Sequence, residues 1–268
     1  MTLEYPIICW WSGGVTSAIA CKKSIELFGL NNCRIVFIDV KNEDEDTYRF
    51  KNDCEMFYNK PIESISNEDY EDIKKVWYKF LSLNVAHGAI CSSELKRIVR
   101  VRFQKTNPYS YQTFGFHINE SKRAFSLALN YSDSKPIFPN LLFGLSKLDC
   151  VDILQKCGIE IPRVYKWGFS NNNCFKTGCV QGGIGYWQKM QKEFYDKFYD
   201  MAMVEHDLTN LAGKPVTILK DQSKGGGLVF LLPHPQYPHI KDISMMKGRM
   251  PEPLVECNGF CGTYDLIN

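Results

Sequence analysis

The chain has no apolar run of membrane-spanning length and no basic-then-apolar stretch near its start. Neither a transmembrane helix nor a secretory signal is expected, and the sequence reads as cytoplasmic. Internal repeats and low-complexity segments are also missing, so the organisation expected is globular throughout. An excess of one charge is lacking too: a net charge of +2 with 23% charged residues offers no global electrostatic reason to bind nucleic acid or a membrane surface. Cysteine is abundant. Eleven cysteines in a 268-residue chain read as cytoplasmic argue against a disulfide framework and for thiol, metal or sulfur chemistry. That length suits one α/β domain with an appendage.

The most informative stretch runs from Ile7 to Ala20, where an apolar segment ends at Trp11 and an amphipathic helix begins near Thr16. Between them lies Ser12-Gly13-Gly14-Val15-Thr16-Ser17. Adjacent glycines permit positive φ and close approach to a ligand. A helix starting directly after them aims free N–H groups and its positive dipole end at the same place, which makes a phosphate cradle. The plainer alternative is a tight strand-to-helix turn with Ser12 or Thr16 as N-cap. The segment contains neither Gly-x-x-x-x-Gly-Lys-Ser/Thr nor Gly-x-Gly-x-x-Gly.

Along the chain, residues 5–11 read as a strand, 16–29 as a helix closed by Gly29, and 33–40 as a buried strand ending near Asp39. Strand, helix, strand makes a right-handed parallel unit whose ligands sit beyond the carboxyl ends of the strands. Ser12–Ser17 and Asp39 both fall there. Asp39 is read either as a ribose or metal contact or as a solvated strand-end acid. The acids at 43–46 open a helix reaching Tyr58. They either complement its dipole, or one or two of them bind Mg²⁺. A third strand follows at 61–65 and a helix at 68–82. Cys91 is expected just before a helix, where the dipole with Lys96 and Arg97 would lower its pKa. Lys96, Arg97, Arg100 and Arg102 alternatively form a solvated basic face. Residues 110–116 read as a strand, followed by His117, Glu120 and Arg123, with His117 expected to be packed or at the surface. Residues 137–145 read as extended, Ser146 caps a helix over 147–157 stopped by Gly158, and another helix spans 187–207, its aromatics expected in the core. Strands at 216–220 and 228–232 flank a hairpin turn at 225–227.

Two thiol pairs stand apart from the rest. Cys174 and Cys179 are spaced Cys-x4-Cys among clustered glycines, and Cys257 and Cys261 are spaced Cys-x3-Cys after a proline-rich linker. The four could hold one Zn²⁺ or a [4Fe–4S] cluster, and Cys91 would then be the substrate-side thiol or replace a ligand. Cys9, Cys21, Cys33, Cys54, Cys150 and Cys157 fall in predicted strands or helices and read as packing residues.

Several of these elements resemble a known family. Ser-Gly-Gly-x-x-Ser at residue 12 is similar to the loop of the PP-loop ATP pyrophosphatase superfamily. Phe37-Ile38-Asp39 followed by Asp46-Thr47-Tyr48 resembles the pattern of sulfonucleotide reductases. Cys91-Ser92-Ser93-Glu94-Leu95-Lys96 is similar to Cys-Thr-x-x-Leu-Lys, where the lysine contacts nucleotide or sulfate. Gly115 to Arg123 resembles Gly-Ile-x-x-Asp-Glu-x-x-Arg, with Asn119 in place of the acid and Glu120 and Arg123 matching. Residues 158–168, and the Asn172 to Trp187 element, resemble phosphoadenosine phosphosulfate reductase-like proteins. The similarity extends from about residue 7 to 210.

The resemblance implies an open, mostly parallel α/β sheet with helices on both faces. Residues 1–168 would form the nucleotide-binding domain and 169–268 a cysteine-bearing C-terminal region. It implies ATP or phosphoadenylyl sulfate bound by Ser12, Gly13, Gly14, Thr16, Ser17, Asp39, Lys96, Glu120 and Arg123. Cys91 and Cys261 would be the catalytic thiols. The Glu-Cys-Gly tail of the reductases is divided here between Glu256-Cys257 and Cys261-Gly262, a departure that bears on sulfate reduction and not on nucleotide binding. A thioredoxin-like electron donor or a cysteine desulfurase is the expected partner, with nucleic acid as the substrate of a thiolation enzyme. Two enzyme branches are therefore open, sulfonucleotide reduction and ATP-dependent sulfur transfer. The competing class is a nucleotide- or nucleic-acid-binding module stapled by zinc.

Overall fold

Ile7–Trp11 forms a strand buried along its whole length, β1, and it occupies the middle of the principal sheet. The computed structural model describes residues 3–85 and 88–252. β2 (Cys33–Ile38) and β3 (Ile62–Ile65) lie on one side of β1. On the other side lie β4 (Tyr111–Thr113) and β5 (Pro136–Ile137). The spatial order is β3-β2-β1-β4-β5 and every pairing is parallel. Ile7 pairs with Cys33 on one flank and Tyr111 on the other. The connections from β1 and towards β4 thus leave to opposite sides, which opens a crevice at the carboxyl end of β1.

Side chains alternate across a strand, so β1 feeds two cores. Ile7, Cys9 and Trp11 pack with α1 (Val15–Phe28), α2 (Glu45–Tyr58) and α6 (Lys147–Lys156) through Ile19, Phe50, Cys54, Cys150 and Leu154. Ile8 and Trp10 face Val99, Ala124 and Leu127 of α4 (Ile98–Thr106) and α5 (Ser121–Asn130). Burial on both faces is why β1 and β2 read as unbroken apolar runs. The α/β class, the parallel sheet and its two helical layers agree with the expectation.

A third core joins α3 (Ile73–Phe80) to α7 (Ile184–Glu193), α8 (Tyr195–Ala212) and a small sheet of β6 (Leu219–Lys220), β7 (Leu228–Phe230) and β8 (Lys241–Asp242). β6 and β7 are antiparallel about Gly225, as the hairpin reading expected. Inside this core the Glu205 carboxylate accepts the backbone N–H groups of Ile218 (2.6 Å) and Leu231 (2.7 Å), joining α8 to both strands. Among the described residues no helix is long and apolar enough to cross a membrane.

Several local expectations change. The helix expected over 187–207 is two helices broken at Phe194, whose ring packs 5.0 Å from Phe175 and 5.1 Å from Trp167. Trp187 and Phe198 are buried as expected, but Tyr195 and Tyr199 are exposed. The stretch 137–145 is extended only at its start. Pro139, suited to a first helical position, opens the turn Pro139–Leu142. Cys157 is exposed while the other five cysteines read as packing residues are buried.

Candidate active site

The loop after β1 sits at the crevice, and its polar groups are organised from within. Ser17 Oγ accepts from Ser12 N (3.0 Å) and Ser12 Oγ (3.0 Å) and donates to Gly14 O (2.9 Å). Gly13 takes φ +84°, whereas Gly14, the N-cap of α1, has φ −95° and no side-chain cap. Only one of the two glycines therefore needs its conformational freedom. Thr16 is fully buried, and its carbonyl accepts from Asn140 Nδ2 (2.9 Å). Val15 N donates to Tyr165 Oη (3.4 Å), so the first turn of α1 meets a hydroxyl from the segment after α6. Gly115 brings the end of β4 against this turn: a Cβ there would lie 2.6 Å from Ser17 Cα.

Around this loop the other expected residues separate into groups. Asp39, just past β2, accepts from Tyr48 Oη (2.9 Å) and Lys41 N (2.7 Å). Glu120 and Arg123 form an ion pair with each other at the start of α5, and His117 Nε2 lies 3.3 Å from Glu120. Of the acids at 43–46, Asp44 caps α2 and holds Arg163 (2.7 Å), while Asp46 holds Arg49. Glu43 behaves differently. It is buried, and its carboxylate lies 3.7 Å from Lys96 Nζ, itself buried. Burial pushes the Glu43 carboxyl up, against the pull of Lys96.

The basic face expected at residues 96–102 is therefore split. Lys96 and Arg100 are buried, and Arg97 and Arg102 are exposed. The cause is local: Ser93–Arg97 forms a π-helical turn between Ile90–Ser92 and α4, which shifts the helical phase at Lys96. Cys91 lies within that helical run, not before it.

Cys91 lines one pocket with Cys174 and Cys179, together with Ser92, Asn173 and Gly178. Burial drives the Cys174 thiol well above the ordinary range, and Glu43, Lys96, Cys179 and Cys91 all act on it electrostatically. The cysteine loop is held to the end of β2 by Phe175 N and Lys176 N, which donate to Asn42 O (3.1 and 3.3 Å). Asn42 Nδ2 in turn donates to Thr177 Oγ1 (2.8 Å).

Among the solved structures similar to the chain is phosphoadenylyl-sulfate (PAPS) reductase from Candida auris, in complex with phosphate. It is 13% identical, with a TM-score of 0.47, and the match covers 64% of this chain and 83% of that one. No family model matches the chain, and no curated protein matches it.

The expected four-cysteine centre is not assembled by what the structure describes. Among the described residues no group of three or more His, Cys, Asp or Glu side chains is arranged to hold a metal ion. Cys257 and Cys261, half of the expected ligand set and one of the two expected catalytic thiols, lie outside the described residues. Two residues that the fold brings to this crevice carry no distinguishing signal of their own in the sequence. Glu43 was one of four acids with nothing to single it out. Asn172 stood in the Asn-Asn-Cys element as a motif letter without a role.

Proposed function

We propose that the chain is an adenine-nucleotide-binding enzyme of sulfur chemistry, with the phosphates over Ser12–Ser17 and the reactive thiols in the adjoining pocket. The observation that carries this reading is the juxtaposition of two sites. A Ser-Gly-Gly loop opens a 14-residue helix at the sheet's switch point, and Cys91, Cys174 and Cys179 share one pocket beside the buried Lys96–Glu43 pair. The α1 N-terminus favours anions. Lys96 supplies positive charge that acts on the Cys174 thiol, suited to the sulfate or phosphate of a nucleotide.

In the reductase branch a thiolate of the pocket attacks the sulfate sulfur of phosphoadenylyl sulfate. The sulfur–oxygen bond to the nucleotide breaks, adenosine 3′,5′-bisphosphate leaves, and a cysteine S-sulfonate forms. A second thiol attacks the first sulfur, releasing sulfite and leaving a disulfide for a dithiol donor to reduce. The presence of three thiols in one pocket also supports the second branch. There ATP adenylates an acceptor and pyrophosphate leaves, and the terminal sulfur of a cysteine persulfide charged by a sulfur-donor protein displaces AMP. A second thiol attacks the cysteine sulfur of the resulting disulfide link, freeing the thiolated acceptor and leaving a protein disulfide for a dithiol donor to reduce.

Product analysis on the full chain tests both. Sulfite with adenosine 3′,5′-bisphosphate supports reduction, and pyrophosphate with AMP supports sulfur transfer. Calorimetry that finds neither nucleotide bound would overturn the reading. Nucleotide bound without turnover, together with an undiminished affinity in Cys91→Ser, would favour a binding module.

A further inference from the structure

The nucleotide loop and the thiol pocket are joined by one side chain. Asn172, 4% exposed, uses its amide nitrogen twice: Nδ2 donates to Gly13 O (2.9 Å) and to Thr47 Oγ1 (3.0 Å). Both hydrogens of that nitrogen are thereby engaged. Thr47 is itself pressed against the loop, since a Cβ on Gly13 would fall 2.9 Å from its methyl carbon. Loop, α2 and the cysteine element thus meet in one knot. Two residues further on is Cys174, in the pocket with Cys91 and Cys179, and from Phe175 onward the chain is tied to Asn42. Asn172 and Cys174 therefore belong to a short segment fixed at both ends.

The identity of the atom that Asn172 holds matters. Gly13 O belongs to the same planar, trans peptide unit as Gly14 N–H. The two groups point to opposite sides of that unit. An anion that draws the Gly14 N–H towards itself swings the Gly13 carbonyl the other way, and the carbonyl is what Asn172 grips. Gly13 has the left-handed freedom that such a rotation needs.

We propose that Asn172 is a positioning residue that couples occupancy of the Ser12–Ser17 loop to the reactivity of Cys174. It does not touch the reacting atoms. It transmits the turn of one peptide plane to the loop that carries the thiol. The consequence is ordered chemistry: the thiol pocket takes its working geometry only when nucleotide is seated, which protects a buried thiol from reaction in the empty enzyme. The inference rests on the nucleotide-binding reading above.

The test is the alkylation rate of Cys174 by iodoacetamide, read by peptide mass spectrometry on the full chain. It is run without nucleotide and at ATP or phosphoadenylyl sulfate concentrations that saturate each protein by calorimetry. Cys157, exposed and outside the cysteine element, serves as the internal reference. In the parent protein nucleotide should change the Cys174 rate about fivefold or more, the low end of ordinary coupling. Asn172→Ala should bring that change below about twofold at saturation, with the Cys157 rate unmoved. Thr47→Val, which removes one of the two acceptors and keeps the shape, should give an intermediate change and stands in if Asn172→Ala does not fold.

Full coupling in either folded variant would overturn the proposal, as would a parent protein that binds nucleotide without any change at Cys174. Loss of nucleotide binding in Asn172→Ala alone would make Asn172 a binding residue and overturn the coupling role. Absence of nucleotide binding in the parent would instead overturn the nucleotide reading on which the coupling stands.

Discussion

Among the described residues two glutamates are fully buried, Glu205 and Glu43, and they are buried for different reasons. Glu205 sits in the third core with both oxygens occupied by backbone N–H groups, from Ile218 and from Leu231. Glu43 sits in the crevice beyond β2, where neither oxygen has a hydrogen-bond partner and the facing charge is Lys96 at 3.7 Å. A buried carboxylate is tolerated when its lone pairs are filled or its charge is paired. At Glu205 the backbone fills them, and the group closes two strand ends that would otherwise leave N–H donors unpaired. At Glu43 the compensation is a single ammonium beside the thiol pocket. The first is a structural clamp. The second keeps unfilled acceptor capacity at a place where a ligand is expected, and that difference separates scaffold from site.

Replacing Glu43 by Ala should break this comparison most severely. It leaves the buried Lys96 without the carboxylate it faces, and we expect a loss of about 3–5 kcal/mol in urea unfolding. The paired replacement Glu43→Leu with Lys96→Met should recover most of that stability while leaving turnover abolished. Recovery of both would mean the pair is only scaffold.

Glu205 should show itself through pH. Burial pushes its carboxyl up to about 8 from the ordinary 4.5, against the two N–H donors. The folded state then binds more protons than the unfolded state between those values, so this contribution is complete below about pH 4.5 and is lost as pH rises through 8. The expected change is on the order of 5 kcal/mol between the two limits. It should be absent from the difference between parent and Glu205→Gln stability curves only if the carboxyl titrates normally.

At the Ser12–Ser17 loop, where we propose that nucleotide binds, the expected effects are smaller in stability and larger in binding. Gly115→Ala would push a methyl into the backbone of Ser17, at 2.6 Å from its Cα, where no flexible side chain can yield. A cost of about 1–3 kcal/mol and a displaced loop should follow, seen as a lower melting temperature and lost nucleotide affinity. Ser17→Ala removes the hydroxyl that closes the loop from Ser12 to Gly14. It should cost about 1–2 kcal/mol and weaken ATP binding in calorimetry.

Much of this was legible along the chain. β1, β2 and the hairpin about Gly225 follow from apolar runs and turn residues, and α6 from the Ser146 capping box. These are short-range effects. Two departures from these patterns have other causes. The π-helical turn over Ser93–Arg97 rephased the helix and took Lys96 and Arg100 into the interior, which a regular period of 3.6 does not anticipate. Phe194 broke a helix that its own segment would have continued, because three aromatic partners lay outside that segment.

The sequence by itself determined the α/β class, the central strands β1 and β2 and the Ser-Gly-Gly turn that opens α1, because spacing and residue type act within a few residues of each other. Which acid would be buried, that Cys91 would share a pocket with Cys174 and Cys179, and that Asn172 would reach Gly13 across 159 positions were decided only by the tertiary structure. Those outcomes depend on how the cysteine element returns over the sheet edge, and burial and pairing at that edge are properties of the packed molecule, not of any segment.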